Sequence, residues 1–239
     1  AALQALQQAR QLLAEERLQL QAALLGQQLA QLREALPGLQ QRQEKLWKET
    51  SRLIDVQKNT GTLSSQDQFH LADLARQQQE LHAQTHSWVE KLADGSVVQT
   101  ALAEAAQWMQ QAAQELARTQ PGPAQTAQQE ALAQIRLLLE ALSPETSLTT
   151  LPKEVPAERR PSAGAGARTL VSAAELKLLR LWQQSVHQRT LAFHQTFGDA
   201  PPDRPEVRAQ YESLRQAQAR LAQMVEQILR SASSENPKP

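Results

Sequence analysis

The side chains best suited to chemistry are histidines. His82 and His86 lie four residues apart, and Glu90 follows four further on. On a helix that spacing stacks the three along one strip, which could hold a divalent metal or relay a proton. The pattern His-Glu-x-x-His, which sets a metal against a general base, is absent. The apolar seam around them places His82 beside the core and His86 and Glu90 outside it, so a solvated helix face is expected, with no metal and no other cofactor. His187 and His194, near Phe193, are expected to serve packing or an interface. The chain has no Cys, which removes thiol nucleophiles, disulfides and Cys-based zinc sites together. Neither Gly-x-Ser-x-Gly nor a P-loop occurs, and Gly164-Ala165-Gly166 has no strand before it to form a phosphate cradle. The chain reads as a non-enzyme.

Composition explains what must carry those residues. Gln, Ala and Leu make up roughly half of 239 residues, while aromatics are 3% and there are only 8 Gly. These are helix formers with few strand formers among them, so the fold class expected is all-α: an antiparallel helical bundle of coiled-coil-like helices. Lys plus Arg number 25, as do Asp plus Glu. By region the net charge is about −2 over 1–120, about zero over 121–168 and about +2 over 169–239, and no basic face able to track phosphates results, which argues against nucleic acid. No run of 18 apolar residues occurs, so no segment is expected to span a bilayer. The opening Ala1-Ala2-Leu3 fits either a fragment or a chain cut after a leader.

The 12 prolines fall between Leu-periodic stretches and are read as punctuation, since Pro inside a helix costs about 3 kcal/mol. A helix over about 1–35 is expected to end at Pro37-Gly38. From Leu18 its seam runs Leu18, Ala22, Leu25, Leu29, Leu32, Leu36 and Leu39 in alternating steps of four and three. Upstream, Leu3, Leu6, Leu13, Leu20 and Leu24 follow a shifted frame, as in a helix that meets two neighbours. A second helix over about 40–58 stops at Gly61 in a left-handed cap. A third begins at Ser64 or Ser65, with Ser65-Gln66-Asp67-Gln68 as capping box, and carries Leu71, Leu74, Gln78, Leu81, Thr85, Trp88 and Leu92 to Asp94-Gly95. A fourth follows Ser96 with Val98, Leu102, Ala105, Met109, Ala112 and Leu116, its alanines permitting close approach, and ends at Thr119 to Pro123. A fifth, over about 124–142, completes a five-helix region over 1–142.

Residues 143–171 are rich in Pro, Ser, Thr and Gly and read as a disordered linker. Ser172-Ala173-Ala174-Glu175 then reads as a capping box, with Val171 and Leu176 as hydrophobic staple. A helix to Phe197, a stop at Gly198, a turn at Asp199 to Pro202, and a second helix capped at Asp203-Arg204-Pro205-Glu206 make a helical hairpin over 172–231, followed by a disordered tail over 232–239. The seam of the second helix is Val207, Tyr211, Leu214, Gln218, Leu221, Val225 and Ile228. Trp47, Trp88, Trp108 and Trp182 are expected as core anchors whose indole N–H finds a polar partner. Gln clusters such as Gln77-Gln78-Gln79 and Gln110-Gln111 suit solubility and weak lateral association on helix faces.

The run Ala174-Glu175-Leu176-Lys177-Leu178-Leu179-Arg180, followed by Gln184, Val186, Arg189 and Thr190, resembles a segment of uncharacterised exported Gln-rich helical proteins of planctomycete-type bacteria. The likeness covers only residues 174–193, and Trp182 and His187 depart from it. It implies an extracytoplasmic location and no chemistry; the alternative location is cytoplasmic.

A hairpin of two helices cannot bury both sides of its stripes alone. The function expected is therefore a non-enzymatic scaffold or adaptor of the bacterial cell envelope that makes protein–protein contacts. Partner binding is placed on Leu179, Trp182, Val186, Phe193, Tyr211, Leu214 and Leu221, and homodimerisation is a reasonable default. Two other classes stay open. One is an amphipathic protein of lipid surfaces, against which the sparse Lys and narrow seams argue. The other is a metal-dependent enzyme using His82, His86 and Glu90.

Overall fold

A computed structural model of the chain describes residues 2–92, 96–143, 163–198 and 205–234. Among these residues there are six helices and no strand: α1 (Ala2–Thr60), α2 (Ser65–Lys91), α3 (Val97–Ala117), α4 (Pro121–Leu142), α5 (Ala163–Phe197) and α6 (Pro205–Ser234). The protein is all-α, as its composition requires. It divides into two compact units at Ala174/Glu175, within α5.

Pro37 does not punctuate. It lies inside α1, which runs unbroken for 59 residues, so the helices expected over 1–35 and 40–58 are one, and four helices rather than five occupy residues 2–142. Proline here removes the N–H that would reach the Arg33 carbonyl, a cost of about 3 kcal/mol. Against it stand Leu32, Leu36 and Leu39, all at 0% exposure, each stabilising by about 1.5–3 kcal/mol on burial. Pro37 and Gly38 themselves are exposed, so the interrupted bond faces water, and the Arg42 guanidinium donates to the Gly38 carbonyl at 3.3 Å. The buried seam passes through: Leu29, Leu32, Leu36, Leu39, Gln43, Leu46, Thr50 and Leu53 alternate steps of three and four.

The four helices form a closed ring of neighbours, α1 beside α2, α2 beside α3, α3 beside α4 and α4 beside α1. Alanines bring the last three close: Ala101, Ala105, Ala112, Ala124, Ala127 and Ala131 are buried at or near zero exposure, which lets helix backbones approach. Local chemistry sets the boundaries. Gly61 takes φ 77° and closes α1 with its N–H on the Gln57 carbonyl at 2.9 Å, a left-handed cap. The capping box of α2 is one residue earlier than expected: the Ser64 hydroxyl accepts from the Asp67 N–H at 3.2 Å while the Asp67 carboxylate accepts from the Ser64 N–H at 3.0 Å. Ser65 with Gln68 fits the same pattern, and the pair that forms is the one whose acceptor is the charged Asp67 carboxylate, a stronger partner for a backbone N–H than an amide oxygen. Ser96 caps α3 by accepting from Gln99 N–H at 3.0 Å. Pro121 starts α4 rather than ending α3, because a first-turn proline lacks only an N–H that has no partner there anyway; the turn before it is made by Thr119 at φ 57°.

Three glutamines cross the bundle interior. Gln43 and Gln78 exchange amide hydrogen bonds at 3.2 and 2.8 Å, and Gln128 donates to the same Gln78 oxygen at 3.1 Å. All three are at 0% exposure, so the bonds join α1, α2 and α4 where water cannot compete. The Gln128 and Gln134 side-chain oxygens have no partner among the described residues, a cost of about 1–3 kcal/mol for each such buried acceptor. Thr50 and Thr85 return their hydroxyls to the carbonyls of Leu46 and Leu81 at 2.9 Å. At the rim, Arg136 of α4 meets Glu44 of α1 at 2.9 Å. That hydrogen bond, joined by one from Gln40, holds the Glu44 carboxyl below its ordinary pKa.

α1 outgrows this bundle. At 1.5 Å per residue it is roughly 90 Å long, against roughly 40 Å for the 27 residues of α2. The shifted upstream stripe, which suggested a second neighbour, is open: Leu3, Leu6, Leu13, Leu20 and Leu24 are 57–76% exposed.

α5 begins at Ala163, so residues 163–171 are helix rather than linker, and Ser172 is an interior residue rather than a cap. Once a helix is nucleated each further residue is cheap to add, and Ala163 to Val171 contain no proline to stop the extension toward Pro161. The remainder of the expected linker, the Asp94-Gly95 stop, the turn at 199–204 with its Asp203 cap, and the tail beyond Ser234 lie outside the described residues; helix reaches into the expected tail as far as Ser234. Gly198 stops α5 as read, at φ 69° with its N–H on the His194 carbonyl at 2.7 Å.

Candidate functional site

The histidine strip of α2 keeps its spacing, the His82 and His86 rings 5.8 Å apart, but packing gives its members different surroundings. His82 is half-buried, and its Nδ1 donates to the Ala106 carbonyl of α3 at 2.9 Å, which fixes the ring against its neighbouring helix and removes that nitrogen as a ligand. His86 and Glu90 stay exposed on the outer face, Nδ1 to Oε1 3.6 Å apart. Among the described residues no group of three His, Cys, Asp or Glu side chains is arranged to hold a metal ion.

The tryptophans differ from their expected role. Only Trp182 is a buried anchor, at 3% exposure. Trp47, Trp88 and Trp108 are half-buried at the edge of the bundle. The Trp47 indole N–H is buried without a partner among the described residues, and Trp88 is capped on its face by the Lys91 ammonium at 4.6 Å, a cation–π contact.

The C-terminal unit contains an open groove of about 540 Å³. One wall is α5, through Leu176, Leu179, Gln183, Val186 and Thr190; the other is α6, through Gln218, Leu221 and Val225. The α5 positions advance by three and four residues, so they lie along one face. From Leu176 to Thr190 the groove follows the helix for about 20 Å at 1.5 Å per residue. Leu176 and Val225 are 55% and 45% exposed, and Thr190 is satisfied by the Val186 carbonyl at 2.8 Å. Arg180, His187 and Ala222 complete the lining, and no acidic side chain contributes to it. A trough of this length, with Leu and Val side chains set among Gln183, Thr190 and Gln218 and a cationic edge at Arg180, can seat a short amphipathic helix.

Of the residues expected to bind a partner, Leu179, Val186 and Leu221 line this groove. Trp182 and Leu214 are buried at 3% and 8% exposure. Phe193 and Tyr211 instead form a ring contact, centroids 6.1 Å apart, with Phe197 5.0 Å from Phe193. Leu176, Arg180, His187 and Val225 also line it and lie outside the set expected to bind a partner. Leu176 was assigned to a staple at a helix start, and moving that start to Ala163 is what frees it for the groove wall.

Comparison of the chain with protein-family models, with curated proteins and with solved structures finds no match. Among the described residues no helix is long and apolar enough to cross a membrane.

Proposed function

We propose that the protein is a non-enzymatic helical adaptor whose α5–α6 groove takes an amphipathic helix of a partner protein. The observation that carries this reading is the groove itself, lined by Leu179, Val186 and Leu221 and partly exposed at Leu176 and Val225. Large side chains left at a concave surface are stabilised by whatever covers them. The cationic edge at Arg180 favours a partner helix with Asp or Glu flanking its apolar stripe. The likeness of residues 174–193 to exported Gln-rich proteins supports a place outside the cytoplasm, in the cell envelope.

The test is selection from a display library of amphipathic helices of about 20 residues, long enough to fill the groove, on the full chain. Enrichment of helices with Leu at steps of three and four and acidic flanks, lost with Leu176→Glu and weakened with Arg180→Glu, is the expected result. Selection of nothing, or of helices indifferent to both substitutions, would remove the groove as the binding site.

A further inference from the structure

The exposed stripe on the first part of α1 is more regular than its leucines alone suggest. Leu3, Leu6, Arg10, Leu13, Arg17, Leu20 and Leu24 follow one another in steps of three, four, three, four, three and four. This is an unbroken coiled-coil seam with arginine at two of its positions. All seven side chains are exposed. Two features restrict what can cover them. Arginine can pack its stem on a leucine only if the guanidinium still reaches water, so the cover must be thin, a single helix rather than the face of a bundle. In addition, the stripe complements itself: two copies meeting antiparallel about a two-fold axis place residue i on j and j on i, and the spacing here can set every arginine against a leucine.

We infer that residues 2–28 of α1 pair antiparallel with the same segment of a second copy of this chain. Antiparallel coiled coils stack each first-type seam position on a second-type position of the other helix. Two staggers do so here. One sets Leu3 on Leu20, Leu6 on Arg17 and Arg10 on Leu13; the other sets Leu6 on Leu24, Arg10 on Leu20 and Leu13 on Arg17. In both, every arginine lies on a leucine. A parallel pair in register would instead stack Arg10 on Arg10 and Arg17 on Arg17, and like charges at a shared seam repel. The segment's other charges are Glu15 and Glu16, so each copy of the arm is neutral and nothing opposes the approach of two. This pairing is independent of the α5–α6 groove.

The experiment measures mass in solution for the full chain at micromolar concentration, by light scattering after size exclusion. Wild type is expected at twice the chain mass of 26.5 kDa, and Leu6→Glu/Leu13→Glu/Leu20→Glu at half the wild-type value with the cooperative melting of the α1–α4 bundle retained, since these side chains are exposed in the single chain and only the stabilisation of the arm by pairing is lost. Arg10→Leu/Arg17→Leu should tighten association by about tenfold or more, as buried leucine replaces a charge that must stay wet. Orientation is read with introduced thiols, which are unique because the chain has no Cys. A mixture of Leu3→Cys with Leu20→Cys, or of Leu6→Cys with Leu24→Cys, should give mixed disulfides, and Leu3→Cys alone should give none. A monomeric wild type, a dimer that survives the triple Glu variant, or self-crosslinking of Leu3→Cys would each overturn the inference. Flotation of a monomeric wild type with phosphatidylcholine/phosphatidylglycerol vesicles, lost in the triple variant, would overturn it in favour of a lipid surface.

Discussion

From Leu29 to Leu53, α1 buries a side chain at every step of three or four, whereas from Leu3 to Leu24 the stripe of leucines stands 57–76% exposed. Both stretches are Leu, Gln and Ala with a heptad pattern, and both are helix. The difference lies in what the downstream chain can reach. α2, α3 and α4, with 27, 21 and 22 residues, are roughly 30–40 Å long, enough to wall in the second half of α1 and too short to follow the first. Periodicity makes both seams, which lie in shifted frames, and the reach of the neighbouring helices decides which of them is core.

The sharpest way to break the comparison is the same truncation on both halves. Leu39→Ala, at a position with 0% exposure, should lower unfolding free energy by about 2–5 kcal/mol in chemical denaturation. Leu13→Ala, 66% exposed, should change it by less than about 0.5 kcal/mol at a concentration where the chain is monomeric. Equal losses would mean that the arm is core after all.

The cost of running the seam through a proline is next in size. Pro37→Ala should raise stability by about 1–3 kcal/mol, because it restores the bond to the Arg33 carbonyl in a helix that is already continuous. A loss instead would show that the proline sets a bend the bundle requires. Gln78→Ala should cost a similar amount, about 1–3 kcal/mol, by stranding the Gln43 and Gln128 amides. Replacing Gln43, Gln78 and Gln128 together with Leu should restore much of that stability while loosening the fit of α1, α2 and α4, visible as faster amide exchange.

The smallest effect is electrostatic. The Glu44 pKa is lowered by the Arg136 hydrogen bond and then by that from Gln40. Its contribution is therefore present above the ordinary glutamate value of about 4.3 and is lost as pH falls through the lowered folded value. Arg136→Gln should destabilise by at most about 1 kcal/mol near neutral pH, since the pair lies at the rim. The difference from wild type should shrink in acid below about pH 4.

Much of this was legible. The seam residues Leu29, Leu32, Leu36 and Leu39, the Ser96 cap, and the stops at Gly61 and Gly198 follow from spacing and from which residues tolerate a left-handed backbone. Pro37 reads as a stop because its cost is local and visible, while the burial that offsets it is distributed over partners far along the chain. The Gln43–Gln78–Gln128 contacts were out of reach for a related reason: Gln78 sits on an apolar seam, but nothing in the chain says that two other glutamines arrive at the same level 35 and 50 residues away. The groove was half legible. Leu179, Val186 and Leu221 were chosen from their stripe, and Leu176 was missed because a capping signal at Ser172 hid the earlier helix start.

The sequence by itself determined the all-α class, the periodic seams and most helix ends, because these rest on energies within a few neighbouring residues. Only the tertiary structure decided that α1 continues through Pro37, that three glutamines are interior, that His82 is spent on the Ala106 carbonyl, and which leucines remain open to another molecule. Those outcomes depend on how far neighbouring helices extend and what they bring to the same level, which no local pattern contains.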